Sequence, residues 1–290
     1  VCIPFDQLFG GSSNGSGHYP VKGLAEFPGV TVNYPKSYQP VKDKEALKAA
    51  INNGGTAVLL SNIDMGTEQL AVSSIVDLNG YTLTTNMTYG GISIKNGGSI
   101  KNGTIEHKST VAAIKAFDVE AIENVTIKTT CATTNKTITA IAVQQGGHVG
   151  TIKNVTIDGV SQGIEVPYQA TVDLIEDVNV QQSANGSEPG IALIINGGKV
   201  GLAKNCTFKG SDYGIKMKLK GVFDVGLELE KCIVEGNTAS IYADDEKGIS
   251  NTSGSFTLTY DKDTKDKLNG PFIWDFEDEC KSVVTLNKPK

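Results

Sequence analysis

Six acidic side chains, Asp118, Glu120, Glu165, Asp173, Asp177 and Asp224, stand apart from the lysines in the sequence pattern. Unpaired carboxylates suit glycoside hydrolysis, which needs two of them ~5–9.5 Å apart, one held protonated. Three other acids read differently. Glu123, Glu176 and Glu230 alternate with Lys101, Lys153 and Lys204 at one recurring position. Flanking lysines lower a carboxylate's pKa, which is wrong for a general acid, so these three are structural. Glu120 and Asp173 occupy equivalent positions, but Gly150 stands between them. No two acids are therefore expected to stack in adjacent coils with loops around them.

Those repeats carry an anchor. Asn102-Gly-Thr-Ile105 is followed by Asn124-Val-Thr-Ile127, Asn154-Val-Thr-Ile157, Asp177-Val-Asn-Val180, Asn205-Cys-Thr-Phe208 and Lys231-Cys-Ile-Val234, with Leu78-Asn-Gly-Tyr-Thr-Leu83 as a looser first member. The intervals from Asn102 are 22, 30, 23, 28 and 26 residues. A second signature, a small residue followed by apolar alternation, recurs at Gly91-Ile-Ser-Ile94, Ala113-Ile-Lys-Ala116, Ala140-Ile-Ala-Val143, Gly163-Ile-Glu-Val166, Gly190-Ile-Ala-Leu193, Gly214-Ile-Lys-Met217 and Ser240-Ile-Tyr-Ala243. Each segment is short, rich in β-branched residues and of period two, so each reads as a strand. Strands repeating at this interval with no helix between them predict an all-β parallel β-helix, a solenoid with coils of about 22–30 residues.

In such a stack, Val125, Val155, Val178, Cys206 and Cys232 form one inward column. Ile105, Ile127, Ile157, Val180, Phe208 and Val234 form the next. Cys206 falls beside Cys232, and stacked buried thiols are expected. The five cysteines include no CxxC pair, which argues against zinc. The residues before the anchors alternate in sign, and those after them (Glu106, Lys128, Asp158, Gln181, Lys209, Glu235) nearly so. Insertions at 128–138 and 181–189 both follow an anchor strand and predict two loops on one side. Residues 1–42, rich in Gly, Ser, Pro and Tyr, read as an extended N-terminal arm. The solenoid spans 43–253 and begins with a capping helix at 43–52, with Asp43 as its N-cap. Residues 254–290 read as a closing β cap.

A charge of −6 argues against nucleic acid as the main partner. No apolar run approaches the ~20 residues of a membrane span. All 26 basic residues are lysine, which disfavours sites built on a guanidinium fork. Nine N-x-S/T sequons occur, at Asn14, Asn86, Asn102, Asn124, Asn135, Asn154, Asn185, Asn205 and Asn251. Most of them read as solenoid pattern.

The run Glu45-Ala-Leu-Lys-Ala-Ala-Ile-Asn-Asn-Gly-Gly55, then Ala57-Val-Leu-Leu60, then Val76-Asp-Leu-Asn-Gly-Tyr-Thr-Leu83, resembles the start of pectate-lyase-like right-handed β-helix domains. The resemblance continues to about residue 250. It implies a right-handed solenoid but no single activity, because that superfamily holds lyases, hydrolases, epimerases, adhesins and phage fibres. Its typical lyases use an arginine base beside a calcium-binding aspartate cluster, and this chain has no arginine. Its polygalacturonase branch carries N-T-D, D-D, G-H-G and R-I-K motifs. Here Gly147-His148-Val-Gly150 is not G-H-G, and Asp244-Asp245 stands alone. A lysine-base lyase would draw on Lys216, Lys218 or Lys220.

The resemblance fits the non-catalytic members best. The expectation is a structural or adhesive protein exposed outside a cell or on a virion, needing no cofactor or metal. Tyr168, Tyr213 and Tyr242, with the two loops, would touch a cell-surface glycan. The arm would hold a larger particle or cell surface, and a homo-oligomer fits such a fibre. The rival is a polysaccharide lyase or glycoside hydrolase on the same scaffold, using Lys216, Lys218, Glu165 and Asp173. An ice-binding solenoid would need a regular threonine ladder. The column Thr104, Thr126, Thr156 and Thr207 is broken by Asn179 and Ile233.

Overall fold

Alternation at period two forces every second side chain of a strand to one face, and here that face closes on itself. The computed structural model describes residues 37–87, 91–130, 132–220, 223–245, 254–276 and 284–287. The body of the N-terminal arm, Cys2, Cys131, Cys280, Asn14 and Asn251 lie outside the described residues. The chain is all-β, a parallel solenoid of about seven turns.

Three parallel sheets run along it. Sheet I includes Thr56–Leu59, Ile75–Asp77, His148–Lys153, Thr171–Glu176, Lys199–Lys204, Val225–Glu230 and Phe256–Tyr260. Sheet II includes Thr82–Thr85, Thr156–Val160, Asn179–Ser183, Thr207–Gly210 and Ile233–Gly236. Sheet III includes Leu70–Val72, Thr139–Val143, Gln162–Pro167, Ile191–Asn196, Tyr213–Leu219, Ala239–Asp245 and Phe272–Asp275. The long strands Ile92–His107 and Ile114–Thr129 each pass through all three sheets. Segments expected to close the far end carry the same sheets onward: Phe256 pairs with Val225, Leu268 with Val234, and Phe272 with Ile241.

The inward columns occur as the sequence predicts. Ile105, Ile127, Ile157, Val180, Phe208 and Val234 are register partners and fully buried. Burying each such side chain contributes roughly 1.5–3 kcal/mol. Cys206 and Cys232 are buried free thiols. Their mutual hydrogen bond and burial push the Cys206 thiol pKa up.

The anchors turn the corner from sheet I to sheet II. Asn79, Asn102, Asn124, Asn154, Asp177, Asn205 and Lys231 all take the left-handed conformation, with φ between 49° and 61°. Asn and Asp tolerate that region because a short polar side chain bonds locally. Here the amides also bond along the stack. Asn102 Nδ2 donates to Asp77 Oδ1 at 3.1 Å, Asn124 to Asn102 at 3.1 Å, and Asn154 to Asn124 at 2.7 Å. Asp177 has no amide to pass on, and the ladder resumes with Asn205 donating to Asp177 at 3.3 Å. This ladder is why asparagine recurs at the anchor.

The charge columns align in register as well: Lys101, Glu123, Lys153, Glu176, Lys204 and Glu230 are successive partners. Ion pairs form at Lys153–Glu176 (2.7 Å) and Lys204–Glu230 (3.4 Å). Lys209 pairs with Glu235 at 3.0 Å in the second column.

The structure corrects one alignment. Gly190-Ile191 was expected to match Gly163-Ile164. Ile164 instead pairs with Leu193, and Val166 with Ile195. The strand is displaced by two residues, which preserves its faces. Ala192 takes the position expected of Gly190. A Cβ on Gly163 would overlap the carbonyl of Ala192, so that close approach is part of the register.

A helix, Lys44–Asn52, lies between the strand Tyr38–Val41 and its parallel sheet I partner Thr56–Leu59. Asp43 accepts from the Ala46 amide at 2.8 Å, and Leu47, Ala50 and Ile51 are buried. Glu68 receives hydrogen bonds from both Lys44 and Lys48, which hold its carboxyl at about 2. No helix among the described residues is long and apolar enough to cross a membrane.

Candidate functional site

Sheet III presents an outward face on which the repeat chemistry lapses. One outward column runs Glu165, Ile194, Lys216, Tyr242 and Ile273. The next runs Pro167, Asn196, Lys218, Asp244 and Asp275. The strands alternate, so these side chains project from one surface.

Two of the expected tyrosines meet here. Tyr213 and Tyr242 stand edge to face with ring centroids 5.6 Å apart. Lys216 Nζ lies over both rings, at 5.3 Å and 5.4 Å, within cation–π range. Tyr168 lies apart from them, in the turn at the far end of the sheet III strands, with Phe223 at 5.2 Å and Lys220 Nζ over its ring at 5.2 Å. Aromatic faces with polar groups at their edges suit sugars, whose rings offer C–H patches and hydroxyls.

The acids divide. Glu165 is on this face with Ala142 and Ile194 as register neighbours, and burial raises its carboxyl pKa. It is two strands from Lys216, about 10 Å along the stack. Asp173 is elsewhere, on sheet I, bonded to His148 Nε2 at 2.9 Å. It does not join Lys216, Lys218 and Glu165 in one site. Other acids thought unpaired have partners. Asp224 accepts from the Ser255 amide and from Lys199, which hold it at about 2. Asp177 accepts from Asn205.

One pair of acids does stack in adjacent repeats. Asp244 and Asp275 are register partners on sheet III. Their strands are about 4.8 Å apart. Burial raises the Asp244 pKa, against the pull of Lys218 and Lys216. The Tyr242 hydroxyl donates to Asp275 Oδ2 over a long 3.4 Å. Burial and the two carboxylates raise the tyrosine's own pKa. The Asp244–Asp275 pair is invisible in the repeat because the chain departs from the anchor pattern after Val234. The available signal was Asp-Phe at the end of Phe272-Ile-Trp-Asp-Phe276, matched against Ile241-Tyr-Ala-Asp244.

The two insertion loops do emerge together, and each is the other's partner. Asn185 Nδ2 donates to Thr133 O and Lys136 O, at 3.2 and 2.8 Å. Ser187 N donates to Asn135 Oδ1 at 2.7 Å, and Thr137 Oγ1 to Glu188 Oε2 at 2.6 Å. Asn185 is buried by these contacts, so its sequon is closed to a glycan in the folded chain.

The column Thr104, Thr126, Thr156, Asn179, Thr207, Ile233 is in register and interrupted as the sequence indicates. Among the described residues, no group of three or more His, Cys, Asp or Glu could hold a metal ion. No protein-family model matches the chain, and neither a curated protein nor a solved structure matches it.

Proposed function

We propose that this chain is a non-catalytic β-solenoid displayed outside a cell or on a virion, with a structural and adhesive role, which holds glycan on the outward face of sheet III. In this reading the solenoid is right-handed and akin to the pectate-lyase-like proteins, and the N-terminal arm ties it to its particle or cell. The observation that carries the glycan role is the Tyr213–Tyr242 pair with Lys216 over both rings, on a face otherwise bearing Glu165, Asn196, Lys218, Asp244 and Asp275. Along the anchor corner the columns largely pair with themselves; this face instead carries a mixture of aromatic, amide and charged groups. Asn196 Oδ1 and Asp244 Oδ1 are buried without a protein partner. Such groups are costly unless satisfied.

The test is binding of the intact chain to a broad glycan array, repeated with Tyr213→Ala and Tyr242→Ala. The reading expects roughly five- to 150-fold weaker binding in each variant, as truncating a stacking aromatic costs about 1–3 kcal/mol. Equal binding by wild type and both variants would remove sheet III from the function. Labelling of intact cells or particles with an antibody against the chain tests the location.

A second reading rests on Asp244 and Asp275. Adjacent carboxylates, one with a raised pKa, suit a general acid and its partner in glycoside hydrolysis. It predicts shortening of a neutral or acidic polysaccharide that disappears in Asp244→Asn. Binding without shortening keeps the adhesive reading.

A further inference from the structure

The inward column just past the corner runs Val125, Val155, Val178, Cys206 and Cys232, all buried. Its last two members are the free thiols. They are held in register from both sides, because Lys204 pairs with Glu230 and Thr207 with Ile233. Parallel neighbours in register stand about 4.8 Å apart. A disulfide spans Cα separations of roughly 4.4–6.8 Å, so the backbone already sits at bonding distance. The two sulfurs share a hydrogen bond, which pushes the Cys206 thiol up and draws the Cys232 thiol down. Packing alone does not require the pair, since valine fills the same position at Val125, Val155 and Val178.

The cover over Cys232 differs from that over the rest of the column. It is not a further strand but Thr264, fully buried on the one-turn helix Lys262–Lys265. Cys232 N donates to Thr264 Oγ1 at 3.0 Å. Asp261 caps this helix, accepting from Thr264 N at 2.8 Å, and it also accepts from Lys231 N at 3.1 Å. Sheet II resumes only afterwards, at Leu268–Asn269. Lys262, Asp263 and Lys265 are exposed. A single exposed turn opens locally at far less cost than a strand paired on both sides. The thiol column is thus sealed at this end by its least stable neighbour.

We propose that Cys206 and Cys232 are a cross-linking site, which a small-molecule disulfide, entering as the Lys262–Lys265 helix opens, oxidises to a disulfide between adjacent turns. The Cys232 thiolate attacks one sulfur of the oxidant, whose S–S bond breaks and releases a first thiolate. Cys206 then gives up its proton and attacks Cys232 Sγ, displacing the second thiolate. Two electrons pass from the cysteines to the oxidant, and the two cysteine protons end on the two released thiols. Such oxidants prevail outside cells and are kept reduced in the cytosol. The new bond fastens together the turns that carry Tyr213 and Tyr242, and so fixes the spacing of that aromatic pair.

The experiment incubates the reduced full chain with excess glutathione disulfide, alkylates the remaining thiols after unfolding, and maps tryptic peptides without reduction. The expected product joins residues 205–209 to 232–247. Its formation should raise the thermal midpoint by about 4 °C or more, and dithiothreitol should reverse the rise. Cys206→Val and Cys232→Val restore the residue found elsewhere in the column, and each should abolish the rise. Asp261→Ala, which loosens the helix, should speed cross-linking roughly fivefold. Alkylation of both thiols in wild type and Asp261→Ala alike would overturn the site. So would glutathione retained on either cysteine without the linked peptide, or pairing of either with Cys2, Cys131 or Cys280. A linked peptide that lowers the midpoint would mean that the bond forms only in the unfolded chain, and would overturn a site built into the fold. Equal rates in wild type and Asp261→Ala would overturn the helix as the entry route.

Discussion

The corner between sheets I and II and the outward face of sheet III are built from the same stacking rule and end differently. At the corner each turn repeats the residue of the turn before, so Asn bonds Asn, Lys meets Glu and Ile packs on Ile. On sheet III the column runs Glu165, Ile194, Lys216, Tyr242, Ile273, where only Lys216 and Tyr242 meet, as cation and ring, and no residue type repeats from one turn to the next. A solenoid satisfies itself wherever it repeats. Where it stops repeating, side chains are released for other contacts.

The sharpest way to break this contrast is in the core behind the corner. Phe208→Ala should cost about 3–5 kcal/mol in urea unfolding, whereas Tyr242→Ala on the outward face should cost no more than about 1 kcal/mol. Equal losses would mean that the sheet III face is structural.

Next comes the ladder. Asn154→Ala removes its hydrogen bond with Asn124 and places alanine at φ 51°, and should cost about 1–3 kcal/mol. Asn154→Gly keeps the turn and should cost less. If the two variants melt together, backbone conformation is not what asparagine supplies.

The third effect is of pH. His107 is fully buried, and burial lowers its pKa below the ordinary 6.5. The unfolded chain then binds a proton before the folded one does. Stability from this group is complete above pH 6.5 and is lost as pH falls through 6.5 toward the folded pKa. The slope is at most about 1.4 kcal/mol per pH unit. Thermal midpoints of wild type and His107→Gln between pH 7.5 and 5 should therefore converge on acidification. Parallel curves would mean that His107 titrates alike in both states.

The smallest effect is in the charge column. Lys153→Glu sets a carboxylate between Glu123 and Glu176. The exposed pair it destroys contributes least of these interactions, and the loss should shrink in high salt. A salt-independent loss would point to packing of the lysine stem.

The sequence by itself determined the solenoid, because its signals are local and recur. Period two sets each strand's faces, and N-x-T-I marks the left-handed corner. The buried columns through Phe208 and the alternating charges followed by counting. It placed Tyr213, Tyr242 and Lys216 as candidates, but could not group them apart from Asp173. Only the tertiary structure decided which turns touch. Insertions of different length between strands leave the number of residues per turn free, so the two-residue displacement at Ile191–Asn196 and the meeting of Asp244 with Asp275 depend on packing between turns.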